Sequence, residues 1–199
     1  AESTFIPLGY DPDRWPDSND HKDNSNSTHI ELVCVSQLTF QFDILPLVKA
    51  IKGNDRFRLT IIGEDGLGER YSEVKEFTNT NKMENIVFLG KINREEMANH
   101  LAKMDIGVVP MISTSIPNKT FDYIASYLPI LSLGNNDVSN FVTENNIGWT
   151  SSFDHIDIKK TLQEISSQNI QLKQNSVAKI RPYLSRECLH LKIANTIFS

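Results

Sequence analysis

Two side chains three residues apart, Lys119 and Asp122, have the types and the spacing for chemistry on a phosphorylated sugar. They lie where the small polar loop from Ser113 to Pro117 runs into a helical pattern. The first N–H groups of a helix have no intrahelical partner and carry partial positive charge, so they attract anions. A diphosphate on Lys119 and these amides, with a sugar diol on Asp122, would use both side chains. The alternative is an exposed Lys/Asp pair that serves solubility alone.

Apolar, strand-like runs alternate with helical patterns on both sides of this loop. The predicted strands are 30–36, 57–62, 85–89, 106–110 and 129–133, with a short strand near Gly148. The predicted helices are 42–51, 67–79, 94–103, 118–127, 138–145 and 156–167. Strands that are apolar along their length and separated by helices indicate a parallel sheet covered on both faces. The sequence therefore predicts a Rossmann-like, doubly wound α/β domain.

Ligands of a doubly wound sheet bind beyond the carboxyl ends of its strands. The residues that follow the first four predicted strands are small or polar, and they include Ser36, Gly63, Gly90, Lys91 and Ser115. Gly63 could let a ligand approach the backbone, although residues 63–66 are equally typical of an ordinary tight turn. The chain has neither a GxGxxG nor a Walker sequence, so the usual dinucleotide and P-loop fingerprints are missing.

Composition excludes several classes of function. With 199 residues, 39% of them hydrophobic, the chain can bury one sizeable core, and a net charge of -5 argues against nucleic-acid binding. Cys34 and Cys188 lack the spacing of a zinc site or a disulfide framework, so we expect no metal and a reduced, cytoplasmic setting. No apolar run reaches the roughly 18 residues of a membrane span, and the N-terminus lacks a signal-peptide pattern.

The two ends of the chain differ from its middle. Residues 1–29 include a polar tract and are predicted to be an N-terminal segment or interdomain linker, and residues 30–170 are predicted to form the ligand-binding domain. Residues 171–199 are predicted to be C-terminal helices, since residues 177–198 carry apolar side chains at helical spacing, in one helix or in two broken near Pro182. Part of that apolar face suits contact with another domain.

The order of these segments resembles the C-terminal, nucleotide-sugar-binding domain of group 1 (family 4) retaining glycosyltransferases. The resemblance covers most of residues 5–165, and its most specific part is Pro-Asn-Lys-x-Phe-Asp-Tyr-x-Ala at 117–125. The other matching segments are residues 6–11, 63–66, 85–91, 104–110 and 128–131. The resemblance implies one half of a GT-B enzyme, in which two Rossmann-like domains face each other across a cleft.

The resemblance also implies roles for individual residues. Asp122 occupies the position where the family usually has a Glu that holds the ribose hydroxyls. Lys119 and the amides of Asn118 and Thr120 would hold the diphosphate. Lys119 would also be the catalytic residue, because a positive charge stabilises the departing nucleoside diphosphate.

Two neighbouring loops would complete the donor site. Backbone groups of residues 90–92 would meet the base, and the loop of residues 36–39 would lie near the phosphates. The chain departs from the family pattern twice: Thr114 occupies the position of a common Glu, and the loop of residues 36–39 lacks the common Arg or Lys. The role of that Glu is therefore unassigned, and phosphate binding would rest more heavily on Lys119.

The family resemblance sets the expected substrates and partners. The donor would be a nucleoside diphosphate sugar, most commonly a UDP-sugar, that acts as substrate with no separate cofactor. A missing N-terminal domain would bind a glycan or lipid-linked acceptor for polysaccharide biosynthesis, and through it the cytoplasmic enzyme could contact the inner face of the membrane. The isolated chain would then bind nucleotide without transferring sugar. The alternatives are a non-catalytic α/β module that binds phosphate or a partner protein, and a nucleotide-sugar epimerase of the same fold.

Overall fold

The computed structural model of the chain describes residues 9–15, 29–63 and 70–191. Six strands form one sheet in the order β3-β2-β1-β4-β5-β6, and every neighbouring pair is parallel. The strands are β1 Ile30–Val35, β2 Phe57–Ile62, β3 Ile86–Gly90, β4 Ile106–Pro110, β5 Ile130–Leu133 and β6 Gly148–Ser151. The prediction of a doubly wound parallel sheet is confirmed.

Seven α-helices connect or flank these strands, and residues 186–191 at the end of the described part of the chain are also helical. They are α1 Leu45–Ala50, α2 Arg70–Thr80, α3 Arg94–Leu101, α4 Asn118–Ala125, α5 Asp137–Glu144, α6 His155–Glu164 and α7 Ser167–Ile180. Two short 3-10 helices, Pro12–Arg14 and Arg181–Leu184, lie near the two ends. None of the helices in the described residues has the length and apolar character that a membrane crossing requires.

The sheet separates two hydrophobic layers. Helices α1, α2 and α6 pack on one face, and α3, α4 and α5 pack on the other. Every residue of β4 is buried, which is what a central parallel strand covered on both faces requires. The long helix α7 joins the layers, because Ile170 packs in the first cluster and Val177 in the second.

Helix α4 approaches the sheet closely because β4 has a glycine beneath it. A Cβ atom at Gly107 would lie 2.4 Å from the ring of Tyr123, so only glycine leaves room for that ring. The fully buried Tyr123 hydroxyl accepts a hydrogen bond from the Val35 N–H at 2.8 Å and lies 3.3 Å from the Val108 carbonyl oxygen. The side chain thus fastens α4 to both central strands, β1 and β4.

The described N-terminal segment docks on the C-terminal part of the chain. Tyr10 and Ser185 form a parallel β-bridge. The buried Arg181 guanidinium donates to the carbonyl oxygens of Ala125 at 3.0 Å and Trp15 at 2.9 Å. This one side chain therefore connects residues 9–15 to the C-terminal end of α4.

Three predicted helix boundaries were wrong. Helix α1 begins at Leu45 instead of residue 42, because the preceding loop pairs with the chain beyond β4. The predicted helix 156–167 ends at Glu164, since the Ser166 side chain caps a separate helix. That helix, α7, begins ten residues before the predicted residue 177 and ends at Ile180, so the break near Pro182 is confirmed. Parts of three predictions lie outside the described residues. They are residues 6–8 of the motif at 6–11, residues 64–66 of the predicted turn, and residues 192–198 of the predicted terminal helix.

Candidate functional site

The strand order reverses between β1 and β4, and the segments that follow these two strands carry the predicted site residues Ser36, Ser115 and Lys119. The two strands pair Leu32 with Ile106 and Val33 with Gly107, and the sheet continues outward from them on both sides. The loops that leave their carboxyl ends, residues 36–44 and 111–117, therefore flank the crevice where doubly wound sheets bind ligands.

The loop after β1 holds the exit of β4 through its backbone. The Asp43 N–H donates to the Pro110 carbonyl at 3.0 Å, and the Ile112 N–H donates to the Gln41 carbonyl at 2.9 Å. Between these bonds, Phe42 forms an antiparallel bridge with Met111. This short ladder fixes the point from which the chain enters the polar loop before α4.

Asn136 holds the same segment from the other side. Its buried side chain donates to the carbonyl oxygens of Met111 and Leu133, and its Oδ1 accepts from the Ser139 N–H at 3.0 Å. Asn136 is thus the N-cap of α5 and a brace between the ends of β4 and β5. Asn136 was not among the predicted site residues, although an Asn just before a helical pattern is a recognised N-cap signal.

Helix α4 begins without a side-chain cap. Pro117 is its extended N-cap residue and makes no capping hydrogen bond, whereas side chains cap α3, α5, α6 and α7. The Thr120 N–H donates to the Pro117 carbonyl at 3.0 Å. This hydrogen bond competes with the diphosphate contact that was predicted for the Thr120 amide. No capping side chain competes for the diphosphate contact that was predicted for the Asn118 amide. The Thr120 hydroxyl is buried and has no hydrogen-bond partner.

The Lys119 side chain folds against an aromatic ring. Its Nζ atom lies 3.8 Å from the centroid of the Phe42 ring, well inside the range of a cation–π interaction. Burial lowers the pKa of Lys119 from its ordinary 10.5 to about 8, and the neighbouring Cys34 and Asp122 groups oppose that decrease. The side chain is half-buried, so the alternative of an exposed pair that serves solubility alone does not describe it.

Asp122 and Cys34 are the ionisable groups that act on Lys119. Asp122 is half-buried on α4, one turn after Lys119, and its charge raises the pKa values of Lys119 and Tyr123. Burial raises the pKa of the Cys34 thiol to about 11, although Lys119 opposes this increase.

The ends of the first three strands form a continuous backbone edge beside this group. The Ser36 N–H donates to the Ile62 carbonyl, and the Gly63 N–H donates to the Gly90 carbonyl, both at 2.9 Å. Gly63 has a φ of +154°, and a Cβ atom there would lie 2.0 Å from the Ser36 carbonyl oxygen, so this position requires glycine. Ser36, Gly63 and Gly90 are thus brought together as neighbouring strand ends.

Two other predicted site residues lie on the exposed rim. Lys91 follows β3 directly, and Ser115 lies in the loop before α4; both are exposed. The ligand contacts predicted for Lys91 and Ser115 stay predictions. Phe42 was missed as part of the site, because only the fold brings it to Lys119. In the described residues, no group of three or more His, Cys, Asp or Glu residues could hold a metal ion.

Comparison with known proteins gives a family match and several fold matches. The family model described as glycosyl transferases, group 1, matches residues 31–166. Sucrose-phosphate synthase from Thermosynechococcus elongatus has a TM-score of 0.79 and 16% identity, over 96% of this chain and 51% of that chain. HepE from Anabaena, solved in complex with UDP and glucose, has a TM-score of 0.75 and 16% identity, over 98% of this chain and 56% of that chain. No curated protein matches in sequence.

The structural matches concern the fold, and they extend over only part of each solved protein. A glycosyltransferase from Rickettsia africae has a TM-score of 0.78 and 14% identity, with 98% of this chain aligned to 57% of that chain. The chain thus spans about half the length of the solved proteins to which it is similar. The expectation of one half of a GT-B fold is confirmed.

Proposed function

Because this chain belongs to the glycosyl transferases of group 1, we propose that it is the nucleotide-sugar-binding half of a two-domain hexosyltransferase. The observation that carries the proposal is the half-buried Lys119 ammonium, next to the uncapped start of α4 at the point where strand order reverses. A diphosphate is the ligand class that this arrangement suits, because it would bring negative charge to both the ammonium and the helix start.

The proposed binding mode follows the strand ends across the crevice. The diphosphate would contact Lys119 and the Asn118 amide, and the ribose hydroxyls would contact Asp122. The base would lie along Gly90 and Lys91, and residues 36–39 would border the phosphates. UDP is the first nucleotide to test, since HepE, which is similar in fold, was solved with UDP and glucose.

In the proposed reaction, this domain stabilises the leaving group. When the bond between the anomeric carbon and the diphosphate oxygen breaks, its electron pair stays on that oxygen. The Lys119 ammonium and the N–H groups at the start of α4 would stabilise the increasing negative charge. No residue of this domain needs to act as nucleophile for that role.

The acceptor and its transfer step belong to the rest of the enzyme in this proposal. We expect a glycan or lipid-linked acceptor, bound by an N-terminal domain that this chain does not contain, in a cytoplasmic step of polysaccharide biosynthesis. The 199-residue chain should bind nucleotide and transfer no sugar. Incubation of the chain with a UDP-sugar and an acceptor would contradict this part of the proposal if it gave a transfer product.

Calorimetric titration of the chain with UDP, GDP and ADP tests the donor site. Lys119→Ala and Asp122→Ala should each weaken binding of the preferred nucleotide by about 1 to 3 kcal/mol, the cost of losing a charged hydrogen-bond partner. Matched controls are Lys52→Ala and Asp55→Ala, two exposed residues in the turn before β2, at the opposite end of the sheet. Equal losses in the site and control variants, or no nucleotide binding at all, would refute the proposed site.

A further inference from the structure

The group that lies against the Lys119 ammonium is an aromatic ring. Nζ lies 3.8 Å from the Phe42 ring centroid, in a half-buried position where the ammonium loses part of its hydration. The ring quadrupole attracts a cation but carries no net charge. A ring can therefore stabilise the charged form of a lysine without repelling an anion that approaches the same lysine. A carboxylate at that position would repel the anion.

The fold holds this ring in a defined place. Two backbone hydrogen bonds flank Phe42, from the Asp43 N–H to Pro110 and from the Ile112 N–H to Gln41. The Phe42 side chain also packs against the hydrophobic layer that contains α4. Phe42 and Lys119 are thus presented from opposite sides of the crevice by two segments with fixed backbones.

We propose that Phe42 is a positioning residue for donor binding: its ring holds the Lys119 ammonium in place before the diphosphate arrives. This inference rests on the proposed function and adds a residue that contacts the lysine instead of the substrate. The ring replaces part of the stabilisation that water gives a free ammonium. The bound nucleotide then adds its negative charge to a cation that is already oriented.

Other groups around the lysine also affect its charge. Cys34 acts on Lys119 from β1, and Asp122 acts from the next turn of α4. Tyr123 on the same helix interacts with Cys34 and Asp122. Beside Phe42, the Asp43 carboxylate lies 3.7 Å from the Arg70 guanidinium. A test of the ring must therefore leave all these groups unchanged.

Fluorinated phenylalanines at position 42 meet that condition, because fluorine weakens the ring quadrupole and changes the ring shape little. UDP binding at pH 8 should weaken stepwise with the number of fluorine atoms, by between about two- and thirty-fold in total, the range expected for a cation–π contact. The pKa of Lys119, followed by NMR of ¹³C-labelled lysine and assigned with Lys119→Arg, should decrease in the same order. The matched control is the same series at Phe40, whose side chain is 73% exposed.

A double-mutant cycle separates positioning from a merely structural role. Phe42→Leu should weaken UDP binding in the native chain and have no further effect in a Lys119→Met background. Equal losses in the two backgrounds, or unchanged binding across the fluorinated series, would overturn the role of Phe42. If the native chain binds none of UDP, GDP and ADP, the proposed function fails, and this inference fails with it.

Discussion

Nucleotide binding should weaken as the pH rises above 8, because the ligand needs the charged form of Lys119. Burial lowers the pKa of this lysine to about 8 in the nucleotide-free chain. A bound diphosphate would favour the ammonium and raise that pKa again. Between the two pKa values, the free chain must take up a proton in order to bind.

The magnitude follows from the fraction of protonated lysine. With a pKa of about 8, roughly nine tenths of Lys119 is charged at pH 7 and roughly one tenth at pH 9. UDP affinity should therefore decrease about tenfold between these two pH values. The ionisation of the diphosphate itself adds no pH dependence to the affinity in this range, because the last pKa of a phosphate group is about 6.

The assay is calorimetric titration with UDP at pH 7, 8 and 9, in buffers that differ in ionisation enthalpy. At pH 8 the binding reaction should take up about half a proton per nucleotide. In Lys119→Arg the charge persists across this range, so affinity should be independent of pH even if it is lower. Circular dichroism at each pH checks that the fold persists. A constant affinity in the native chain, or the same decrease in Lys119→Arg, would refute the reasoning.

The remaining predictions concern stability. Lys119→Met should raise the free energy of unfolding at pH 7 by on the order of 1 to 3 kcal/mol, because a lysine whose folded pKa lies below its unfolded pKa destabilises the fold while it is charged. A urea titration that gives no increase would contradict this. Gly63→Ala should cost about 2 to 4 kcal/mol through its clash and its φ. Gly53→Ala, where φ is also positive but no atom lies within 4 Å, should lower the melting temperature less. Tyr123→Phe should cost about 1 to 3 kcal/mol and speed hydrogen exchange of the Val35 amide, which loses its partner; unchanged exchange would count against that bond.

The parallel sheet was predictable because its signal is local. Strands such as β4 are buried on both faces, so they appear in the sequence as short, continuous apolar runs. The start of α4 was also predictable from the sequence, since a proline after a run of small polar residues, here Pro117, is typical of a helix start. The order of such elements along the chain then determines which loops flank the ligand crevice.

The errors arose where distant parts of the chain override a local pattern. Residues 42–44 look helical, but the antiparallel bridge between Phe42 and Met111 makes them a loop. For α7, the N-cap residue Ser166 could have indicated the true start of the helix, but the predicted start was based on the apolar spacing after residue 177. The contact between Phe42 and Lys119 had no local signal, because it joins the loop after β1 to the first turn of α4, 77 residues further along the chain.

The Arg181 contacts have a consequence for how the domain folds. The hydrogen bond from Arg181 to Trp15 closes a separation of 166 residues, and all six strands lie between its ends. A contact across so long a loop has a large entropic cost until the intervening chain is ordered, so it should form late in folding. Residues 9–15 should accordingly be among the last segments to gain protection in refolding and the first to lose it in denaturant. The amide of Tyr10, bonded to the Leu184 carbonyl at 3.1 Å, reports this step directly.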